Sequence, residues 1–288
     1  MDQFTAYRAS GPRTGDRVRF WREPRLDNLE CLEARFRNHR YTPHVHDTFA
    51  IGVIVSGVEL FRCRGARHRA GPGQVVAVNP GELHDGEAAG DGFGYRMLYP
   101  STALLDAIAR EHSGPVSCAA LRGPVIDDPG VARGLVAAHR LMARGAPRLA
   151  VDTALGEALA LLVERHADPR PPARRHGRAS AAVRRACEFV DACCERDLTL
   201  SAIAAIACID RFALIRAFRR ELGVTPHAFL TARRVARAKR LLGGDGALST
   251  VALECGFCDQ SHFTRTFKAW TGITPGHYRD GIDRAHRA

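Results

Sequence analysis

The sequence predicts a two-domain α+β protein: an N-terminal β-barrel or jelly roll with appended helices, then an all-α domain built on tandem helix-turn-helix units. Three observations carry this. Residues 20 to about 98 break into short β-rich runs between Gly/Pro turns. From Ser180 almost to the end, apolar residues recur at helical spacing. The later part of that helical stretch also repeats the earlier part, 49 residues on. A chain of 288 residues has room for two ordinary domains. We place them at 1–166 and 180–288, with 167–179 as linker.

In the first domain, Ala50-Ile51-Gly52-Val53-Ile54-Val55 is a β-rich run that stops at Ser56-Gly57, and Val58–Phe61 is its expected hairpin partner. Gly71-Pro72-Gly73 is a turn, Gln74–Val78 a short strand, and Asn79-Pro80-Gly81 the turn that ends it. Residues 101–112 and about 129–143 read as helices. A stronger one covers 149–166, where Leu155, Leu159, Leu162 and Val163 share a face. That stripe packs either on the barrel or against a second copy of the chain in a homodimer. Residues 167–179, ADPRPPARRHGRA, keep no periodicity and are dominated by Pro, Arg and Gly.

In the second domain, Ser180 caps a helix through about Glu195, and Thr199 or Leu200 begins a short one to Ala207. Asp210 caps the next, which Gly223 stops. Thr225-Pro226, a cap and a first-turn proline, opens a long helix that Gly243-Gly244 ends. Ser249 starts another short helix. Asp259 caps one to about Trp270, Gly272 stops it, and Thr274-Pro275 opens a last turn or two.

Shifted by 49 residues, Asp210–Phe229 falls on Asp259–Tyr278: Arg216 meets Arg265, Phe218 meets Phe267, Gly223 meets Gly272. Upstream the shift is 48. Each unit is a short helix, a tight turn and an Asp-capped longer helix, with alanines that let the two helices cross closely. One face of each longer helix is apolar: Leu214, Ala217 and Phe218, then Phe263 and Phe267. With that face buried, the polar face is free to enter a major groove. The alternative is a plain helical domain with an architectural repeat. The helix from Pro226 to Leu242 spans roughly 25 Å, which can set two recognition helices about one DNA turn, near 34 Å, apart.

Charge points the same way. The net charge is +11, and residues 170–288 hold 21 Lys+Arg against 11 Asp+Glu, while 1–169 hold 21 against 20. Such a localised positive field suits a polyanion, either nucleic acid or an anionic membrane. No window is long and apolar enough to cross a bilayer, and the opening MDQFTAYRAS lacks the apolar run of a secretory leader. We expect a cytoplasmic, nucleoid-associated protein. The nine cysteines, an odd number, read as reduced thiols. Cys255 and Cys258 have the spacing of half a zinc site, without a second pair. No hydrolase elbow, phosphate-cradling loop or dinucleotide fingerprint is present. No catalytic residue, cofactor or enzymatic role is assigned.

The string VALECGFCDQSHFTRTFKAWTGITPGHYR (251–279) resembles the signature of the AraC family of bacterial transcription regulators, and the likeness extends over about residues 183–281. The first unit, LSAIAAIACIDRFALIRAFRRELGVTPHAFL (200–230), is further from it. Cys208 stands where a turn glycine is usual, Asp210 where Ser is usual, and Ala213 replaces a frequent histidine. Ile215 stands at a frequent groove-facing position and cannot hydrogen-bond to a base. The first unit is therefore expected to read DNA more by shape and apolar contact. HVHDTFAIGVIVSG (44–57) and GPGQVVAVNPGELHDG (71–86) resemble the cupin-like sensor domain of many members. The resemblance implies a sequence-specific, effector-responsive regulator, an activator before a repressor. Its partners would be a double-stranded operator, a small-molecule effector and RNA polymerase.

Candidate DNA contacts follow. Arg216 and Arg265 hold matching positions, where Arg can grip guanine as a fork or clamp a phosphate. Arg211 and Phe212 lie in the first turn of the first recognition helix, and Phe212 is either a groove contact or core. Gln260 and Ser261 begin the second recognition helix and Thr264 follows one turn on; Gln can read adenine. His262 either touches a phosphate or packs within the fold.

His44 and His46 lie on one side of an extended strand, and His84 follows the turn at Pro80-Gly81, near Glu82. Cupin enzymes, which this part resembles, bind a transition metal with a similar set. A metal-dependent cupin enzyme fused to a helical binding module is thus one rival reading, and a protein-interaction adaptor another. A metal site calls for a further acidic ligand, yet Asp47 points to the other strand face and Glu59 is uncertain. We assign His44, His46 and His84 to an effector pocket and assign no metal.

Overall fold

A computed structural model describes residues 16–113, 120–168 and 180–286. Among these, eight strands form one antiparallel sheet: β1 (Arg17–Glu23), β2 (Leu29–Phe36), β3 (Arg40–His44), β4 (Ala50–Cys63), β5 (Ala66–Ala70), β6 (Val75–Val78), β7 (His84–Tyr99) and β8 (Val125–Ile126). The order is β1-β2-β7-β4-β6-β8, with β3 also on β7 and β5 also on β4.

The apolar runs Ala50–Val55 and Val75–Val78 do not alternate with polar residues because both sheet faces are covered. Alternate residues serve two different cores. Ile51, Val53, Val75, Ala77 and Leu98 face one core, with Trp21 and the helices α1 (Thr102–Ser113), α2 (Pro129–Ala143) and α3 (Arg148–His166). Ala50, Ile54, Val76, Val78, Tyr95 and Met97 face the other. The Leu155, Leu159, Leu162 and Val163 stripe of α3 is buried in the first core, at most 2% exposed. It is therefore spent inside the chain and not offered to a second copy.

One expected element is corrected. Ser56-Gly57 is not a hairpin turn, because β4 runs straight through it for 14 residues. The pairing of β4 with β7 shifts register between Ile54 and Ser56 and again between Gly57 and Val58. Gly57 takes φ +65°, and a Cβ there would come within 2.0 Å of the Gly92 carbonyl oxygen. The glycine serves a bulge that lets the long strand bend over its partner.

The helical domain comprises α4 (Ala181–Cys193), α5 (Leu200–Ala207), α6 (Arg211–Glu221), α7 (Pro226–Leu241), α8 (Leu248–Glu254), α9 (Gln260–Thr271) and α10 (Pro275–His286). The expected caps form at Ser180, Thr199, Asp210, Thr225 and Asp259, each accepting from backbone N–H groups of the first turn. Ser249 does not start its helix: α8 begins one residue earlier at Leu248, after Ala247, which makes no side-chain cap. The last helix is also longer than a turn or two, at 12 residues. Tertiary packing explains this. Tyr278 stacks on Phe20 of β1 with ring centroids 4.6 Å apart, and Ile282 is buried behind it.

The two helix-turn-helix units differ in where they anchor. The first closes its own core, from Val190 and Ile203 through Leu214, Phe218 and Phe229. The second has no separate core: Phe263, Phe267, Trp270 and Tyr278 join the second face of the sheet. Of the proposed linker, only Ala167 and Asp168 are described, both tied to the first domain: Ala167 bridges Leu121, and the Asp168 N–H donates to the Ala120 carbonyl. Residues 169–179 lie outside the described residues.

Candidate nucleic-acid interface and the cavity beside it

The two recognition helices, α6 and α9, start in the same way. The Asp210 carboxylate accepts from the Phe212 and Ala213 N–H groups at 2.9 Å each, and Asp259 from the His262 N–H at 2.7 Å. These backbone bonds, with smaller help from Arg216 and Arg265 respectively, hold both carboxyls below their ordinary pKa. The preceding turns also match. Cys208 closes α5 at φ +56° and Gly256 closes α8 at φ +80°, both left-handed. Gly256 is also needed for space, since a Cβ there would lie 2.7 Å from the Glu195 carbonyl oxygen.

Burial then sorts the faces of each helix. Leu214, Ala217 and Phe218 point inward on α6, and Phe263, Phe267 and Trp270 on α9. Arg211, Phe212 and Arg216 are exposed on α6, with Ile215 half-buried. Gln260, Ser261 and Arg265 are exposed on α9, with Thr264 half-buried. Phe212 is 67% exposed, which removes it from the core. Among the described residues neither Arg216 nor Arg265 enters a salt bridge, although thirteen such pairs occur elsewhere. His262 packs edge-on against Phe257 at 5.4 Å.

Beside α9, a cleft of about 230 Å³ opens between the barrel and α7, lined by Glu30, His44, His46, Tyr99, Lys239 and Trp270. A smaller pocket of about 40 Å³ continues into the barrel, where His84, Glu59, Tyr41 and Tyr95 join the wall. His44, His46, Tyr99 and Trp270 line both. The structure thus brings the three sequence-predicted histidines together. The His44 and His46 Nε2 atoms are 3.2 Å apart, and the His44 and His84 ring centroids 4.2 Å. Burial, and for His44 and His46 the neighbouring rings, lower all three pKa values, so the rings are neutral at pH 7. Burial, then Asp85, pushes Glu59 up to about 8.

Sequence reasoning missed the polar tie next to this cleft. The Glu30 carboxylate on β2 accepts Lys239 Nζ of α7 at 2.8 Å, an Arg22 guanidinium nitrogen at 3.1 Å, and the Tyr278 hydroxyl of α10. Burial alone would raise the Glu30 pKa; Lys239, Tyr278 and Arg22 outweigh it and hold it below the ordinary value. Arg233 of α7 adds a pair to Asp47 at 3.2 Å. Nothing in the sequence marked Glu30, Lys239 or Trp270, because the contacts that join them to the site, Glu30 with Lys239 and Tyr278 and Trp270 with His44, link residues more than 200 positions apart.

Comparison with known proteins agrees with the two halves. Residues 28–161 match the family model of an AraC-like ligand binding domain, and residues 203–281 that of a helix-turn-helix domain. YbfI of Bacillus subtilis (strain 168), an uncharacterized HTH-type transcriptional regulator, is 25% identical over 83% of this chain and 87% of its own length. The HTH-type transcriptional activator RhaS of Escherichia fergusonii is 37% identical over 27% of this chain, less than a third (30%) of its own. Among solved structures, ToxT from Vibrio cholerae O395 has the same fold, with TM-score 0.53 and 11% identity over 94% of this chain and 99% of that one. Among the described residues no helix is long and apolar enough to cross a membrane.

Proposed function

The chain belongs to the AraC family of transcription regulators, and we propose that it reads an operator duplex with the exposed faces of α6 and α9 while a small molecule in the cleft beside Trp270 sets its activity. One observation carries the reading most: two capped helices at matching positions each present an exposed arginine that, among the described residues, enters no salt bridge. An unpaired guanidinium on a groove-sized helix suits guanine or a phosphate. On α9 it stands with Gln260 and Ser261; on α6 it stands with Arg211, and Phe212 and Ile215 supply an apolar surface for thymine methyls. Activation is the proposed sense of regulation, on the strength of what RhaS is called. The effector would contact His44 and His46, which line both the cleft and the smaller pocket, and His84, which lines the smaller pocket.

The test begins with an operator selected from random duplexes by the purified chain. Arg265→Ala should weaken binding by about 1–3 kcal/mol, or roughly 5- to 150-fold, and relax one base position. Because Arg265 is exposed and enters no salt bridge among the described residues, the variant's stability should stay within about 0.5 kcal/mol of wild type. Wild-type affinity should fall steeply with salt as phosphate contacts release counterions. A folded Arg265→Ala variant with unchanged affinity, or a salt-insensitive complex, would remove the reading.

A further inference from the structure

We propose that the inner pocket of the barrel takes the ammonium end of a small primary amine, with Glu59 as the group that receives it, and that the apolar body of the same molecule lies in the cleft under Trp270. This rests on the reading of the cleft as an effector site and adds the chemical class of the effector.

The first observation is a buried carboxyl group with nothing to bind. Glu59, on β4, is 9% exposed, and among the described residues its side chain has neither a hydrogen bond nor a salt bridge. Glu30, the carboxylate beside the cleft, has three partners by contrast. Glu59 lines the inner pocket, and Gly86 of β7 makes room for it. Gly86 takes no left-handed φ; what it supplies is space, since a Cβ there would lie 2.7 Å from Glu59 Oε1. An unpartnered carboxyl in the interior costs stability, and a ligand that donates to it offsets that cost.

The pocket wall selects the sign of the ligand's charge. Asp85 lines it with Glu59, and among the described residues no Lys or Arg does. Lys239, Arg233 and Arg240 line only the outer cleft, where Glu30 and Asp47 engage the first two. The three histidines are neutral, so none of them opposes a cation. His84 donates from Nδ1 to the Glu82 carbonyl oxygen at 3.0 Å, which leaves its Nε2 as an acceptor. Burial, then Asp85, keeps the proton on Glu59 at pH 7. An ammonium group beside it would send that proton to solvent and leave an ion pair in its place. Tyr41, Tyr95, Tyr99 and Trp270 add ring faces, which attract an ammonium and repel a carboxylate. A neutral polyol would use the acceptors and gain nothing from the charge or the rings.

Size agrees. The pocket's 40 Å³ is room for about three waters, or for the end of an aliphatic amine. His44, His46, Tyr99 and Trp270 line both the pocket and the cleft, so one molecule can run from Glu59 out to α7.

The test uses the full chain and three probes of equal length that differ in charge: n-butylammonium, 1-butanol and butyrate. Each is titrated calorimetrically at pH 7 and matched ionic strength. A primary amine is protonated there. Butylammonium should bind the wild type at least about tenfold more tightly than either of the others, as a charge-assisted hydrogen bond requires. Glu59→Gln and Glu59→Leu should each remove that preference. Both variants are checked by circular dichroism, and should both fail to fold, the wild-type ranking decides alone. Butanol or butyrate binding as tightly as butylammonium would overturn the amine and leave the cleft standing as an effector site. Unchanged butylammonium affinity in either folded variant would do the same. Binding of none of the three would overturn the proposal as well, and operator binding, measured separately, would be untouched by any of these results.

Discussion

Replacing Glu30 by Gln should loosen the second helix-turn-helix unit from the barrel. The carboxylate meets two cations and a hydroxyl, and its side chain is 15% exposed, against 24% for Lys239 and 19% for Arg22. A hydrogen bond to a charged group contributes about 1.5–3 kcal/mol, and removing one member of a fully buried ion pair costs about 3–5 kcal/mol. Here both cations keep about a fifth of their surface in water and the amide oxygen still accepts from Tyr278. We discount the loss to about 2–3 kcal/mol. The chain carries its own reporters: its two tryptophans sit in different cores, Trp21 with the first and Trp270 with the second. In a Trp21→Phe background, urea unfolding followed by Trp270 fluorescence should shift to lower urea in the Glu30→Gln variant, while a Trp270→Phe background should show Trp21 moving less. A Trp270 transition whose free energy stays within about 0.5 kcal/mol of wild type would refute the reasoning.

Two further outcomes follow from local geometry. Cys208 pays for a left-handed conformation that costs a side-chain-bearing residue about 1–2 kcal/mol, against the extra chain entropy that glycine loses, about 0.5–1 kcal/mol. Cys208→Gly should therefore stabilise the first unit by about 0.5–1 kcal/mol by urea denaturation, and a destabilised variant would show that the thiol makes a contact worth more than the strain. The depressed pKa values of His44, His46 and His84 make stability pH-dependent. The unfolded chain protonates these rings near 6.5, so stability is complete above that pH and declines below it, by about 1.4 kcal/mol per pH unit for each ring until its folded pKa is reached. The wild type should lose more stability between pH 7 and pH 5 than His46→Gln or His84→Gln; parallel curves would count against buried neutral rings.

Much of the helical domain was legible because its signals are local. A cap such as Asp210 and a stop such as Gly272 announce themselves within four residues, and the repeat set the register of the exposed face. Arg216 and Arg265 could be placed on that face from spacing alone. Ser56-Gly57 was misread because a glycine that bends a strand and one that turns it look alike until the partner strand, with Gly92, is known. The short estimate for the last helix failed for a related reason, since Tyr278 and Ile282 are held by a strand at the other end of the chain. His44 and His46 were legible as neighbours two residues apart, although β3 ends at His44 and His46 lies just beyond it. Their convergence with His84 depended on a β3–β7 pairing that no local pattern records.

The docking of α10 on β1 changes what each half is worth alone. By chain order Tyr278 and Ile282 belong to one half and Phe20 to the other, yet they make a single seam. A clone ending before the helices would bare Phe20 and the outer rows of the sheet, and one beginning at Ser180 would bare Phe267, Trp270 and Tyr278. Both fragments would carry a sticky flank that the intact polypeptide largely covers, so truncates would be expected to self-associate. Expression trials are better begun with the whole gene.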